Sequence, residues 1–295
     1  AEKIGSDTIR YLYASAPVQN DVRFGYNLGD DARKKLLSFW NIYTFFMTYA
    51  SIDKPDLSTF KPNLSDLTPV DKWLIIRTNE FVKKAKNYLD DYKVYLLTKD
   101  FETFTDDVSN WYIRVNRRRF WKTGDQRDKM TAYYALYYAL KNLTLVMSPV
   151  IPFMTEKIWQ EAIRTSETSE MESVHLKRFP EELFKLDDND KLIERTALVR
   201  DAISTAMRLR NEQQIKVRQA LNKIFICSDQ DTAKKISLFD KYILSELNIK
   251  QIEYIDDMSI IEDTYLTVNF KNAGKVLKGD VNKLKDFLAK KTDNE

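Results

Sequence analysis

Five basic and four aromatic side chains fall within the stretch SNWYIRVNRRRFWK, from Ser109 to Lys122. Arg114, Arg117, Arg118, Arg119 and Lys122 carry the charge; Trp111, Tyr112, Phe120 and Trp121 carry the rings. Guanidinium forks pair with phosphate in a bidentate manner, and an exposed indole stacks on a base or a ribose. The chemistry on offer is the grip of a polyanion. The plainer alternative is a solvated helix end, where cations complement the helix dipole. That need accounts for one or two of them. Three consecutive arginines with Arg114 and Lys122 exceed it, since like charges at this spacing repel.

Other chemistries find little material. The one histidine, His175, argues against a Ser-His-Asp triad or a multi-histidine metal site, and the one cysteine, Cys227, has no partner for an internal disulfide. A structural role is the expectation for His175. Carboxylates are scattered along polar faces, and Asp7 and Asp21 read as caps and turn-formers. No GxGxxG or GxxxxGK[ST] loop occurs. No catalytic residue, metal ligand or cofactor site is therefore expected within this chain. The formal net charge is only +3, so any polyanion must be held by a local patch. No run of residues is apolar enough to cross a bilayer, and the N-terminus lacks the pattern of a signal peptide. The sequence opens on Ala1 close to a helix, which predicts a fragment of something larger.

The basic stretch must be positioned by a helix, expected over about Val94 to Trp121 and ended by Gly124. Steps of four and three along it give Leu97, Phe101, Phe104, Val108, Trp111 and Val115, a core-facing stripe. The same stripe turns basic at Arg118 and Lys122. Burying those two would cost several kcal/mol each, on the order of an unpaired interior charge. The helix is therefore expected to run past the end of the core and present all five cations. Trp111 belongs to the core, and Trp121 stands among the cations.

Further helices frame this one. GSDTIRYLYASAP reads as a short helix capped by Ser6 or Asp7, and VQNDVRFGYNLG as a link. DDARKKLLSFWNIYTFFMTYA is a helix with acids in its first turn. Thr68, Pro69 and Asp71 form an N-terminal signature for the helix that follows. DKMTAYYALYYALKNLTLVM places Tyr133, Leu136, Leu140, Leu143 and Met147 on one face, and Pro149 and Pro152 break it before FMTEKIWQEAI. Six glycines and seven prolines suit long helices. After about residue 165 the character changes. SVHLKRFP has a strand-like core, and a long helix covers about Asp190 to Asn211. NKIFICS, IKQIEYI and TYLTVNF are β-rich runs that alternate with helical DTAKKISLFDKYIL and GDVNKLKDFLAKK. The expected fold class is mainly α, a helical bundle over 1–180 followed by a long helix and a small α+β domain over 181–295.

SNWYIRVNRRRFW resembles the helix signature of the anticodon-binding domain in the class I aminoacyl-tRNA synthetases for isoleucine, valine and leucine. GSDTIRYLYASAPVQNDVRF resembles the segment that follows the KMSKS loop in the isoleucyl-tRNA synthetases. LSFWNIYTFFMTYA, VDKWLIIRTNEFV, SPVIPFMTEKIWQ, ESVHLKRFP and RNEQQIKVRQAL resemble later blocks of that family, in the same order. The resemblance covers Gly5 to Leu221 closely and the tail more weakly. Val115 departs from an arginine frequent in the family, and Ala220 from a proline. HIGH and KMSKS are absent, as is the zinc-binding cysteine cluster of some bacterial members.

This resemblance implies an anticodon-binding domain, with 1–28 as the link from a catalytic domain. It implies tRNA(Ile) as partner, with Arg114, Arg117, Arg118, Arg119, Trp121 and Lys122 on the RNA side. The parent would be a cytoplasmic isoleucine-tRNA ligase using ATP and Mg²⁺, with its own catalytic and editing domains. The fragment itself would be inactive. The alternative is a helical protein-interaction module whose basic patch meets an acidic protein.

Overall fold

Thr68 and Asp71 close a capping box, and from it starts the helix at the centre of the core. In this computed structural model, which describes residues 2–122, 126–166, 172–181, 184–188 and 191–257, the Asp71 N–H donates to Thr68 Oγ1 at 3.2 Å. The Thr68 N–H donates back to Asp71 Oδ2 at 3.0 Å. Two orphan donors of the helix start are thereby satisfied, and Pro69, which has no N–H to satisfy, stands at the first helical position. This is α3 (Pro69–Asp90).

Before it lie α1 (Ser6–Ala14) and α2 (Tyr26–Asp53). After it come α4 (Val94–Asp106), a π-helical stretch Asp107–Ile113 and α5 (Arg114–Trp121), which together make one continuous rod. α6 (Gln126–Met147) returns along the bundle. α7 (Pro152–Ile158) continues through a second π-helical stretch, Trp159–Ile163, into the short α8 (Arg164–Ser166). α9 is Leu192–Glu212. The chain then forms β1 (Leu221–Cys227), α10 (Gln230–Ser237), α11 (Asp240–Leu247) and β2 (Ile249–Ile255). The two strands pair in parallel, Leu221 opposite Ile249 and Cys227 opposite Ile255, with both short helices in the crossover, as parallel pairing requires. The mainly α expectation with a small α+β part is met.

Aromatic rings fill the centre of the bundle. Phe39 meets Phe101 edge to face at 5.5 Å, Phe120 meets Tyr133 at 5.1 Å, and Phe81 stacks on Phe104 at 5.0 Å. Such pairs add specificity of geometry to the area they bury. Tyr133, Leu136, Leu140, Leu143 and Met147, the expected face of α6, are all buried.

Four local expectations are corrected. Neither Ser6 nor Asp7 caps α1, whose N-cap is Gly5 at φ 92. Asp7 caps a different helix: its carboxylate accepts the N–H groups of Phe153 (3.3 Å) and Met154 (2.6 Å) in the first turn of α7. α2 begins at Tyr26, so Asp30 and Asp31 lie beyond its first turn, and Gly29 is inside the helix. A Cβ on Gly29 would meet the Ile4 side chain at 2.9 Å, so a larger residue there requires that side chain to move. Finally, the ESVHL segment is a 3₁₀ turn, Val174–Leu176, and not a strand. Glu156 accepts Ser173 Oγ (2.8 Å) and the Val174 N–H (3.1 Å), which ties that turn to α7. Gly124, TYLTVNF and GDVNKLKDFLAKK lie outside the described residues.

Candidate nucleic-acid interface

The rod from α4 to α5 sets the direction of every basic side chain in the opening stretch. Its π-helical segment is wound wider than an α-helix, and such a segment shifts the faces of all that follows it. Before the segment, Leu97, Phe101 and Phe104 are buried, as expected. Within it Val108, Trp111, Tyr112 and Ile113 are all buried. Beyond it the buried positions are Asn116 and Phe120, in steps of four from Tyr112. Val115 is only partly covered.

That shift sorts the cations. Arg114, Arg117, Arg118, Trp121 and Lys122 are exposed, and Trp121 is 62% accessible. Arg118 and Lys122 have no side-chain partner among the described residues. Arg117 lies over the Phe45 ring at 5.9 Å, which orients the guanidinium and leaves its charge in solvent. Arg114 Nε is 2.5 Å from Glu246 Oε2 of α11, so part of its charge is already matched.

Arg119 departs from the expected outward group. Its side chain is 14% exposed and faces the bundle. Nη1 donates to Asp71 Oδ1 at 2.8 Å and to Asn116 Oδ1 at 3.1 Å. Nε donates to Asp128 Oδ2 at 3.0 Å, and Nη2 donates to the Asp128 carbonyl at 2.8 Å and to Thr131 Oγ1 at 2.9 Å. Tyr112 Oη donates to the same Asp71 oxygen at 2.6 Å. Asp71 is fully buried and thus acts as helix cap, phenol acceptor and arginine partner at once. Burial alone would lower the Arg119 pKa; the Asp71 and Tyr112 interactions outweigh it and hold it above the ordinary guanidinium value. Burial, then the Asp71 charge, push the Tyr112 phenol well above the usual tyrosine range. The capping signature revealed Asp71 in the sequence. Its partners 41 and 48 residues away left no local signal.

A second ion cluster fixes the π-helical stretch. Arg77 Nε is 3.1 Å from Asp107 Oδ2, and its Nη2 is 3.0 Å from Asp100 Oδ1. Arg200 of α9 reaches the other Asp107 oxygen at 2.5 Å. Asp107 of the rod is therefore held from α3 and from α9 at once, and the cationic end is presented from a rigid base.

Elsewhere, a cleft of about 680 Å³ lies between α6 and residues 176–181, lined by Tyr134, Tyr138, Lys141, Lys177 and Arg178 among others. It contains none of the residues picked out from the sequence. His175 is exposed, with Nε2 3.9 Å from Glu156 Oε2. Among the described residues no group of three or more His, Cys, Asp or Glu side chains is placed to hold a metal ion, and no helix is long and apolar enough to cross a membrane.

Comparison with known proteins adds an independent line. The family model for the anticodon-binding domain of tRNA ligase matches residues 71–225, more than half of the chain, from the first turn of α3 into β1. The chain is 31% identical over 295 residues to an isoleucine–tRNA ligase of Thermus thermophilus, covering 99% of this chain and 28% of that protein. It is 33% identical over 269 residues to an isoleucine–tRNA ligase of Dehalococcoides mccartyi, with 89% and 26% covered. For that of Clostridium acetobutylicum the figures are 34% over 273 residues, with 92% and 26% covered. The chain thus spans about a quarter of the length of the curated relatives it matches.

Proposed function

Because the chain belongs to the anticodon-binding domain family of the tRNA ligases, we propose that it holds the anticodon arm of a tRNA against the end of α5. Arg114, Arg117, Arg118 and Lys122 meet the phosphate backbone, and Trp121 offers a stacking face to an unstacked base. Arg119 holds the helix that carries them. The observation that carries this reading is the sorting of charge along α5. Arg119 is consumed by the buried Asp71 and the half-exposed Asp128, whereas Arg117, Arg118 and Lys122 have no acidic partner among the described residues. A surface of unmatched cations beside an exposed indole suits single-stranded RNA better than an acidic protein, which has no base to stack.

The relatives' names favour the isoleucine tRNA as the partner. On this reading the whole protein joins isoleucine to that tRNA in the cytoplasm, using ATP and Mg²⁺ at its catalytic domain. The present chain contributes position: the arm is held so that the acceptor end reaches the reacting groups, and misplacement lowers rate as well as affinity. The division near residue 180, between bundle and α+β part, belongs to the same proposal.

The test is a titration of the chain with a fluorescently labelled tRNA(Ile) transcript at several salt concentrations, beside a DNA duplex of equal length. Arg117→Ala with Arg118→Ala is expected to weaken tRNA binding. The slope of log K against log salt should flatten by roughly 1.4 to 1.8, the sum of two phosphate contacts. An unchanged affinity and slope, or equal preference for the duplex, would refute the reading.

A further inference from the structure

Arg210 stands in the last turn of α9 and is 4% exposed. Its Nη2 donates to three carbonyls of the chain just ahead: Lys216 at 3.3 Å, Val217 at 3.3 Å and Gln219 at 2.5 Å. Its Nε and Nη1 are buried without a hydrogen-bond partner. A second side chain holds the same stretch. Asn248, left-handed at φ 50 where α11 ends, donates its amide to the carbonyls of Val217 (3.0 Å) and Arg218 (3.1 Å). The backbone closes the remainder. Gln214 is left-handed at φ 56, the Ile215 N–H reaches the Arg210 carbonyl at 2.8 Å, and the Gln219 N–H reaches the Lys216 carbonyl at 2.9 Å. Leu221 then enters β1 with its N–H on the Asn248 carbonyl at 3.1 Å.

A surface turn does not need a buried guanidinium to close it, because water satisfies exposed carbonyls. Burying a cation with two of its donors unmade is unfavourable, so the arrangement calls for a reason. What it achieves is a loop whose carbonyls are pinned while its side chains are free. Lys216, Val217, Arg218 and Gln219 are all exposed. Neither Lys216 nor Arg218 has an acidic partner among the described residues. The loop also lies close to the cationic helix. Glu246, which binds Arg114 of α5, is two residues before Asn248, which binds the loop. The end of α11 thus joins both basic elements.

We infer that the loop over 214–220 is a second, pre-shaped contact for the RNA backbone, with Lys216 and Arg218 as the phosphate-binding side chains and Arg210 as the residue that positions them. The inference rests on the tRNA reading and extends its surface from α5 across the end of α11. Pinning the loop in advance removes the ordering cost that a free loop would incur on binding.

The same salt titration separates the two claims. Lys216→Ala with Arg218→Ala removes exposed, unpartnered side chains, so the melting temperature should hold. The log–log salt slope for tRNA(Ile) should flatten by about 1.4 to 1.8, in addition to the loss from the α5 pair. Arg210→Met should also weaken binding, but should add little once Lys216 and Arg218 are gone. A merely structural Arg210 would add its full loss in both backgrounds. If the loop pair leaves the slope unchanged while Arg117→Ala with Arg118→Ala flattens it, the second contact is overturned and the tRNA reading stands. If the unaltered chain does not bind tRNA, both are overturned.

Discussion

Arg119 Nη1 lies 2.8 Å from Oδ1 of Asp71, a carboxylate with no solvent exposure that also caps α3. The pair links the cationic helix to the start of the central one. Removing one partner of a buried pair strands the other charge, at a cost of about 3–5 kcal/mol. Arg119→Met keeps much of the volume and leaves Asp71 with only Tyr112 and Thr68. It is expected to lower the free energy of unfolding by that amount, read as a lower urea midpoint with the steepness of the transition unchanged. A loss under about 1 kcal/mol, the scale of one ordinary hydrogen bond, would show that the pair does not hold α5 in place.

Two tryptophans ten residues apart should separate binding from stability. Trp121 is 62% exposed and Trp111 is 4% exposed. Trp121→Ala is expected to cost about 1–3 kcal/mol of tRNA affinity, leaving the salt slope and melting temperature nearly unchanged. Trp111→Ala should instead destabilise the fold by about 3–5 kcal/mol. The Trp111 indole N–H is buried without a partner, so Trp111→Phe should be milder than Trp111→Ala. Thermal unfolding and fluorescence anisotropy on the same samples read both effects. An exchange of the two phenotypes would mean the helix faces are wrongly oriented.

Tyr138 gives the bundle an alkaline limit. Its Oη donates to Asn79 Oδ1 at 2.6 Å and accepts the Phe184 N–H at 3.0 Å, tying residues 184–188 to α3 and α6. Burial is the main reason its phenol is pushed up to about 12, from an ordinary value near 10. A pKa raised on folding contributes stability below the unfolded value and loses it as pH rises through the folded one. The contribution is therefore whole below pH 10 and lost between about 10 and 12. Tyr138→Phe should be less stable by about 1 kcal/mol at pH 8, and the gap should narrow above pH 10. Urea unfolding at pH 8, 10 and 11 checks it; a gap that widens with pH would contradict the assignment.

The helical bundle was legible because its signals are local. The capping box at Thr68 and Asp71 and the buried face from Tyr133 to Met147 depend on spacing alone, and both are found where spacing puts them. The stripe Leu97, Phe101, Phe104, Val108 and Trp111 is found for the same reason. The inward turn of Arg119 was hidden, because a π-helical stretch changes the phase of a helix and composition does not announce it. Asp7 was recognisable as a capping residue, but the helix it caps begins some 145 residues later, a tertiary fact. The ESVHL segment alternates like a strand, yet no edge is offered to it, and its backbone donors go to Glu156 and Ser173. Arg210 and its loop make up RNEQQIKVRQAL, a block that carried the family resemblance, but nothing local in it announced that the Arg210 guanidinium would be buried against the loop carbonyls.

Glu246 pairs with the cationic face, with Oε2 at 2.5 Å from Arg114 Nε. The acid is largely covered, at 12% side-chain exposure, whereas Arg114 is 53% exposed. If Arg114 meets RNA, this carboxylate competes with a phosphate for it and repels the backbone as it approaches. Glu246→Gln keeps the shape and a hydrogen-bonding side chain while removing the charge. The expected result is tighter tRNA binding and a salt slope steeper by up to about 0.7–0.9, one more cation released to the backbone. Stability should change little, since an ion pair with one half-exposed partner contributes on the order of 1 kcal/mol or less. Affinity that falls while the melting temperature also drops would give Glu246 a different task, the docking of α11 onto α5. Arg114 would then leave the set of RNA contacts, and the interface would narrow to Arg117, Arg118, Trp121 and Lys122.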